Sequence, residues 1–141
     1  MKNIFFTLFI LILFSTSSYS AGSGSGSGNE STAKKKSNYE KAVILIKSAK
    51  KYERKNKTEK ANKKYEKALS FLIKSNEKKP NQADTLNYLG FTTRKLGDYA
   101  GGEKYYLQGL AIEPRHNGIN EYLGELYVAT NRINLAKERL K

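Results

Sequence analysis

The chain has 141 residues, no cysteine and a single histidine. Its fold therefore cannot depend on disulfide bonds, and thiol chemistry is excluded as a function. Basic residues number 26 against 13 acidic ones, and the resulting formal net charge of +13 favours anionic partners. Because the sequence contains no cluster of metal ligands and no recognisable pairing of a nucleophile with a base, it predicts neither an enzyme nor a metal or cofactor site.

Residues 1–20 have the pattern of a secretory signal peptide. Lys2 supplies a positive charge, Ile4–Phe14 is apolar at all but one position, and the small residues before Ala21 suit cleavage. An uncleaved membrane anchor would need about 20 apolar residues, which is more than this run provides. We therefore expect an exported protein, periplasmic or secreted, with no membrane span after cleavage.

Residues 21–37 follow as a segment of low complexity. Alternating glycine and serine are succeeded by small polar residues and lysines, which cannot bury enough surface to offset the entropy of ordering. The sequence therefore predicts a flexible linker here, either natural or engineered in origin.

Residues 38–141 carry an internal repeat, whose fixed period is the step from Pro80 to Pro114. Five sets of positions separated by this step hold matching or similar side chains: Pro80 and Pro114; Leu89-Gly90 and Leu123-Gly124; Ala68, Gly102 and Ala136; Leu72, Tyr106 and Leu140; and Tyr65, Tyr99 and Ile133. A fixed period of this length is typical of stacked helical repeats, in which each unit buries its apolar face against its neighbours.

The most complete unit, Thr85–Pro114, resembles the tetratricopeptide repeat family. The resemblance rests on Leu89-Gly90 in the first helix, on Tyr106 in the second and on the closing Pro114. It implies an all-α fold of antiparallel helix pairs that stack as a short right-handed α-solenoid. The family pattern divides the repeat region into about three units, the first degenerate and the last incomplete, at 38–80, 83–116 and 117–141. In function it implies a non-enzymatic scaffold that binds a protein or peptide partner.

Helical periodicity in this unit gives the same result from the residues alone. One face of the first helix carries apolar and small residues at helical spacing: Leu86, Leu89, Gly90, Thr93 and Leu96. Because Gly90 has no side chain, we expect the partner helix to approach closely there, with Tyr106 beside it. Gly97 and Asp98 are expected to end the first helix and to cap the second.

The first helix of the repeat region is displaced toward the N-terminus. Asn38–Arg54 carries a helical apolar pattern, whereas an unshifted register would bury Lys55-Asn56. We therefore expect extra residues around Lys55–Lys60 before the second helix starts. Such departures are common in terminal repeats, which present one face to water.

The side of the middle unit opposite its packing face is the candidate binding site. In the family that the chain resembles, first helices line a concave surface, and the candidate partner-binding residues there are Asn87, Tyr88, Phe91, Arg94, Glu121, Tyr122 and Glu125. Phe91 and Tyr122 are interpreted as anchors for an extended or helical peptide, and Arg94 as a partner for a carboxylate. In the alternative interpretation, Tyr88 and Tyr122 pack between repeats.

Positive charge is concentrated in the first helix pair. Residues 29–82 hold 17 basic and 6 acidic side chains, whereas residues 83–141 hold 8 and 7. The segment 38–79 is therefore either the solvated surface of a lysine-rich protein or a contact for anionic envelope polymers, lipids or an acidic protein. Nucleic acid is not expected as a partner, because lysines outnumber arginines 21 to 5 and no base-reading motif is present.

The C-terminal helix would leave Leu135 and Leu140 exposed on one side. Because stacked repeats generally end in a polar helix, this surface indicates either a continuation of the stack or a partner. Such a partner includes a second copy of the chain or a larger assembly in which the chain is a structural subunit. His116, in the turn between the second and third units, is interpreted as a solvated residue without a special role.

Overall fold

The computed structural model describes residues 35–139 and contains six α-helices in that range. They are α1 (Asn38–Glu53), α2 (Thr58–Lys78), α3 (Ala83–Lys95), α4 (Tyr99–Ile112), α5 (Asn117–Ala129) and α6 (Ile133–Arg139). No strand occurs in this range, which confirms the all-α prediction. None of the described helices has the length and apolar character needed to cross a membrane. The predicted signal peptide (1–20), the linker as far as residue 34, and Leu140 lie outside the described residues.

The helices form hairpins that stack side by side. α1 packs on α2, α3 on α4 and α5 on α6, while α2 meets α3 and α4 meets α5. α3 also touches both α1 and α5, whereas α2, α4 and α6 do not touch one another within residues 35–139. The stack is therefore curved, with its first helices close together and its second helices spread apart. We call the side formed by α1, α3 and α5 the inner surface.

The helix boundaries repeat with the period seen in the sequence. α5 begins one full period after α3, α6 begins one full period after α4, and α2 ends one full period before α4 ends. Together with the contacts between consecutive hairpins, these boundaries confirm the stacked helix-pair fold that the tetratricopeptide resemblance implies.

The turn between α3 and α4 has the geometry predicted for Gly97 and Asp98. Gly97 has a φ of 97°, a backbone conformation that residues with a side chain rarely adopt. The Asp98 carboxylate then accepts a hydrogen bond from the Gly101 N–H at 2.8 Å and caps α4. These two residues end one helix and begin the next, which sets the antiparallel direction of α4.

The first hairpin differs from the second in length. Ser37 and Glu40 form a reciprocal capping box that starts α1, in agreement with the predicted early first helix. α2 has 21 residues against 14 in α4. Because it begins at Thr58, part of the predicted insertion at Lys55–Lys60 belongs to the helix itself, which corrects that prediction. The alanine, glutamate and lysines that follow Thr58 are strong helix formers, so the additional residues extend α2 by about two turns.

The predicted contact between Gly90 and Tyr106 is confirmed. A Cβ atom added to Gly90 would lie 2.5 Å from Cε1 of the Tyr106 ring. Tyr106 is fully buried, so its ring occupies the space that any side chain at position 90 would need. Leu86, Leu89 and Thr93 on the same face of α3 are also buried, as the helical spacing predicts. Burial of each leucine there stabilises the fold by about 2 kcal/mol.

A two-point ion pair joins the α5–α6 turn to α4. Nη1 and Nη2 of Arg132 donate hydrogen bonds to Oε1 and Oε2 of Glu103, at 2.9 and 2.7 Å. The guanidinium also lies 4.6 Å from the centroid of the Tyr127 ring. The hydrogen bonds from Arg132 hold the pKa of Glu103 below its ordinary value of 4.5, although burial alone would raise it.

This lowered pKa makes the contribution of Glu103 to stability depend on pH. The folded carboxyl binds a proton more weakly than the unfolded one, so the pair stabilises the fold above pH 4.5 and less as the pH falls through the lowered pKa. We expect Glu103→Gln to lower the urea midpoint slightly at pH 7, because the pair is partly exposed, and to approach the wild-type midpoint at acidic pH. The exposed Glu121 provides the control, and Glu121→Gln should leave both midpoints unchanged. A Glu103→Gln deficit that persists at acidic pH would contradict the assignment.

Candidate functional site

All seven predicted binding residues lie on α3 and α5, two first helices that touch each other. They differ in exposure: Asn87 and Phe91 are buried, Tyr88, Arg94 and Tyr122 are half-buried, and Glu121 and Glu125 are exposed. The structure thus brings the whole set to the seam between two repeats, but only part of it reaches the inner surface. The role of these residues in binding stays a prediction.

Phe91, interpreted from the sequence as a peptide anchor, is a core residue. It is 2% exposed, and its ring centroid lies 5.9 Å from that of Tyr65 in α2 and 4.9 Å from that of Tyr122 in α5. The ammonium of Lys50 in α1 lies 4.4 Å from the same centroid. Because three other helices converge on this ring, it has no face free for a partner, which corrects the expectation of an exposed anchor.

Lys50 connects the three first helices, a role that sequence reasoning missed. Its Nζ donates a hydrogen bond to the Tyr122 hydroxyl at 3.1 Å while it lies over the Phe91 ring. A cation held over an aromatic face stabilises a structure by about 0.5–2 kcal/mol. In the sequence Lys50 is one of many lysines. The one feature of the sequence that points to its role is its position four residues after the buried Ile46. This spacing puts the two residues on neighbouring positions of one helix face.

Arg94 binds a carboxylate, but one within the chain. Its Nη2 donates a hydrogen bond to Oε2 of Glu125 at 2.6 Å. The Arg94 side chain is 10% exposed, whereas that of Glu125 is 50% exposed. Burial alone would lower the pKa of Arg94, but Tyr106 and Glu125 outweigh burial and raise it, so the guanidinium stays charged. A carboxylate of a partner would have to compete with Glu125 for this cation.

Asn87 is part of the contact between α3 and the start of α5. Its side chain is buried, and its Oδ1 has no hydrogen-bond partner in the described part of the chain. The amide lies so close to α5 that a Cβ atom added to Gly118 would be 2.8 Å from Nδ2. Asn87 therefore helps to position α5 and does not line the inner surface.

His116 links the second and third repeats, which corrects its interpretation as a solvated residue without a role. Its Nδ1 accepts a hydrogen bond from the Ile119 N–H at 3.2 Å and caps α5. Its Nε2 lies 3.0 Å from Oδ1 of Asp84 in α3. With hydrogen on Nε2, the ring satisfies both contacts and joins α3 to α5. Within residues 35–139, no group of three or more acidic or imidazole side chains is arranged as metal ligands.

Half-buried tyrosines from the three first helices follow one another along the inner surface. They are Tyr39 in α1, Tyr88 in α3 and Tyr122 in α5, and we call them the tyrosine row. The centroids of Tyr39 and Tyr88 are 5.9 Å apart, and all three rings pack against the core on their inward side. Each ring is therefore partly packed and partly exposed, and Tyr39 also lines a cleft at the start of α1. Tyr88 and Tyr122 therefore pack between repeats and also reach solvent.

The hydroxyl groups of Tyr39 and Tyr88 are neutral at physiological pH. Burial, together with the nearby Asp84, raises the pKa of Tyr39 to about 12. Burial also raises the pKa of Tyr88. A protonated tyrosine hydroxyl both donates and accepts hydrogen bonds, so Tyr39 and Tyr88 present aromatic surface together with uncharged polar groups.

Two solved structures that are similar to this chain are tetratricopeptide-repeat domains. One is the second tetratricopeptide-repeat domain of Spaghetti (RPAP3) bound to the HSP90 peptide SRMEEVD, with 16% identity and a TM-score of 0.45 over 73% of this chain and 89% of that chain. Another is the tetratricopeptide-repeat domain of Arabidopsis FLU, with 19% identity and a TM-score of 0.45 over 73% of this chain and 91% of that chain. No protein-family model and no curated protein sequence matches the chain. The fold assignment rests on the helices and contacts described above.

The α5–α6 end of the stack is more polar than the equivalent surface of the middle repeat. In α3, the positions that α5 covers hold Leu86, Asn87 and Phe91; one repeat period later, α5 holds Asn120, Glu121 and Glu125. These three polar residues line an open cleft of about 960 Å³. Exposed apolar side chains near this end are Val128, Ile133 and Leu135. The α5 side of this end therefore suits a polar contact better than a further apolar hairpin, and self-association through it stays a prediction.

Proposed function

We propose that this chain is a non-enzymatic scaffold that binds an extended segment of a protein or peptide along its inner surface. The observation that supports this proposal is the tyrosine row, to which each first helix contributes one ring. Tyrosine suits interfaces because it offers a large, stiff aromatic surface together with a hydroxyl group. The rings of the row are already positioned by core contacts, so a partner would lose little side-chain entropy by binding them.

The charges around the tyrosine row favour a partner that binds without a terminal carboxylate. Arg94 is paired with Glu125, and the ammonium of Lys50 rests on Phe91 and Tyr122. Arg94 and Lys50 are thus engaged within the chain. We therefore expect the partner to use apolar or aromatic side chains together with backbone hydrogen bonds.

We also propose that the protein is exported and that its partner belongs to the cell envelope. This proposal rests on residues 1–20, whose positive start, apolar run and small residues match a signal peptide. Recovery of the chain from a periplasmic or culture fraction with Ala21 as its first residue would support export. Retention of residues 1–20 in the cytoplasmic fraction would contradict it.

The tyrosine row predicts a specific loss of binding. Peptides selected on the wild-type protein from a random display library are expected to bind about tenfold more weakly to the double variant Tyr39→Phe, Tyr88→Phe. Both rings stay in place, while each lost hydroxyl removes a hydrogen bond worth about 0.5–1.5 kcal/mol. Fluorescence anisotropy with a labelled selected peptide measures the dissociation constants, and an unchanged thermal midpoint verifies the fold of the variant.

Tyr99, which is not part of the tyrosine row, provides the matched control for this experiment. Tyr99 is 41% exposed on α4, the second helix of the middle hairpin. Tyr99→Phe therefore removes a tyrosine hydroxyl that lies away from the inner surface. It should leave peptide affinity unchanged. Equal weakening by Tyr99→Phe, or a library that yields no binding peptide at all, would contradict an inner-surface site.

A further inference from the structure

A cleft of about 620 Å³ opens where α1 begins, α2 ends and α3 begins. Its basic lining residues are Lys35, Lys36, Lys41, Lys78 and Lys79. Sites for small ligands commonly have volumes of about 300–1,000 Å³, so the cleft is large enough for a compact charged molecule. Five basic side chains therefore meet at one end of the first hairpin, where three chain segments come together.

Little negative charge offsets these lysines. Asp84 is the acidic residue among the lining side chains, and its carboxylate lies 3.0 Å from Nε2 of His116. The ion pairs that the structure shows in residues 35–139 involve other cations, such as Lys63 with Glu59 and Lys95 with Glu53. Several uncompensated ammonium groups around one concavity raise the local positive potential, because the low-dielectric walls focus the field.

The remaining lining groups suit an anion as well. The hydroxyl-bearing residues Ser75 and Thr85 line the cleft, and Gln82 lies at the start of α3. Among the described residues, no side chain caps the first N–H groups of α3, so the partial positive charge of that helix end adds to the field of the lysines. The five lysines supply most of the positive charge of the cleft, and the end of α3 adds to it.

We propose that this cleft binds a ligand that carries two or more neighbouring phosphate groups. Lysine ammonium groups act as mobile point charges, which suits several phosphate oxygens at once without the fixed geometry of a guanidinium fork. The proposal goes beyond peptide binding, because the cleft lies at the end of the first hairpin and shares only Tyr39 with the tyrosine row. The phosphates belong either to a soluble polyphosphorylated molecule or to the headgroups of an anionic lipid.

The proposal is tested with inorganic tripolyphosphate in isothermal titration calorimetry. The cleft variant, Lys78→Ala with Lys79→Ala, is expected to raise the dissociation constant about tenfold at low salt, since two charge-assisted contacts are lost. Its matched control, Lys60→Ala with Lys67→Ala, removes the same charge from exposed positions of α2 outside the cleft. The control should change the constant less than about twofold, because solvated charges farther from the ligand are screened.

Two outcomes overturn the proposal. Equal weakening by both double variants would show that the ligand responds to the diffuse charge of the hairpin, and absence of tripolyphosphate binding to the wild-type chain would show that no such site exists. Co-sedimentation with phosphatidylglycerol vesicles, against phosphatidylcholine vesicles, then identifies the source of the phosphate. Vesicle binding that the cleft variant loses supports a lipid headgroup, whereas tripolyphosphate binding without vesicle binding supports a soluble ligand.

Discussion

Gly90→Ala is expected to lower the free energy of unfolding by about 2–3 kcal/mol, the cost of overpacking a well-filled core. The new methyl group would lie 2.5 Å from Cε1 of Tyr106, a ring that is itself fully buried and so has no open side into which to move. Alanine is a better helix former than glycine by about 1 kcal/mol, so a net loss has to come from the contact. Urea unfolding followed by circular dichroism measures the change.

The same substitution one repeat later is the control. A Cβ atom added to Gly124 would have Arg139 Cβ, at 3.6 Å, as its nearest heavy atom among the described residues, which is an ordinary van der Waals contact. Gly124→Ala should therefore change the free energy of unfolding by less than about 1 kcal/mol. A Gly90→Ala protein as stable as wild type would mean that α3 and α4 are not packed as closely as the structure shows.

Phe91→Ala is expected to lower the free energy of unfolding by about 3–4 kcal/mol, as for other buried aromatic residues. Removal of the ring opens a cavity between Tyr65 and Tyr122 and takes away the aromatic face on which the Lys50 ammonium rests. The loss distinguishes a core residue from a peptide anchor, because deletion of an exposed anchor would weaken binding and leave stability unchanged.

Leu107→Ala provides the surface comparison for Phe91→Ala. Leu107 is 49% exposed on α4, and its truncation should change stability by no more than about 0.5 kcal/mol. Thermal and urea unfolding of both variants are then compared with wild type. If Phe91→Ala unfolded like Leu107→Ala, the ring would not be the meeting point of four helices, and its interpretation as an anchor would regain support.

Much of the fold could be predicted from the sequence because its closest contacts need particular residue types. Any side chain at Gly90 would occupy the space of the Tyr106 ring, so this position requires glycine and the requirement is visible in the sequence. The turn at Gly97 and Asp98 is similar, since a positive φ and a helix cap each select few residues. Such local steric and backbone requirements remain visible in a single sequence.

The candidate site was harder to predict because its geometry depends on contacts between distant segments. Phe91 looked exposed when only the packing face of its own helix was considered, but α1 and α5 supply Lys50 and Tyr122 to cover it. His116 is likewise defined by Asp84, which precedes it by most of a repeat in the chain. Neither relationship has a local spacing that sequence reasoning could use, since both arise from how the repeats are placed against one another.

The separation of α2 from α4 affects how the whole stack responds to load. Within residues 35–139, consecutive repeats are joined along the seam of first helices, through α2–α3 and α4–α5, and by the Arg132–Glu103 ion pair, while the backbones of α2, α4 and α6 do not meet one another. A change of curvature therefore mainly alters the distances between α2, α4 and α6. The seam of α1, α3 and α5, which carries Tyr39, Tyr88 and Tyr122, keeps its contacts. The aromatic side chains that we propose to grip a partner are thus the part of the molecule that strains least when it bends around one.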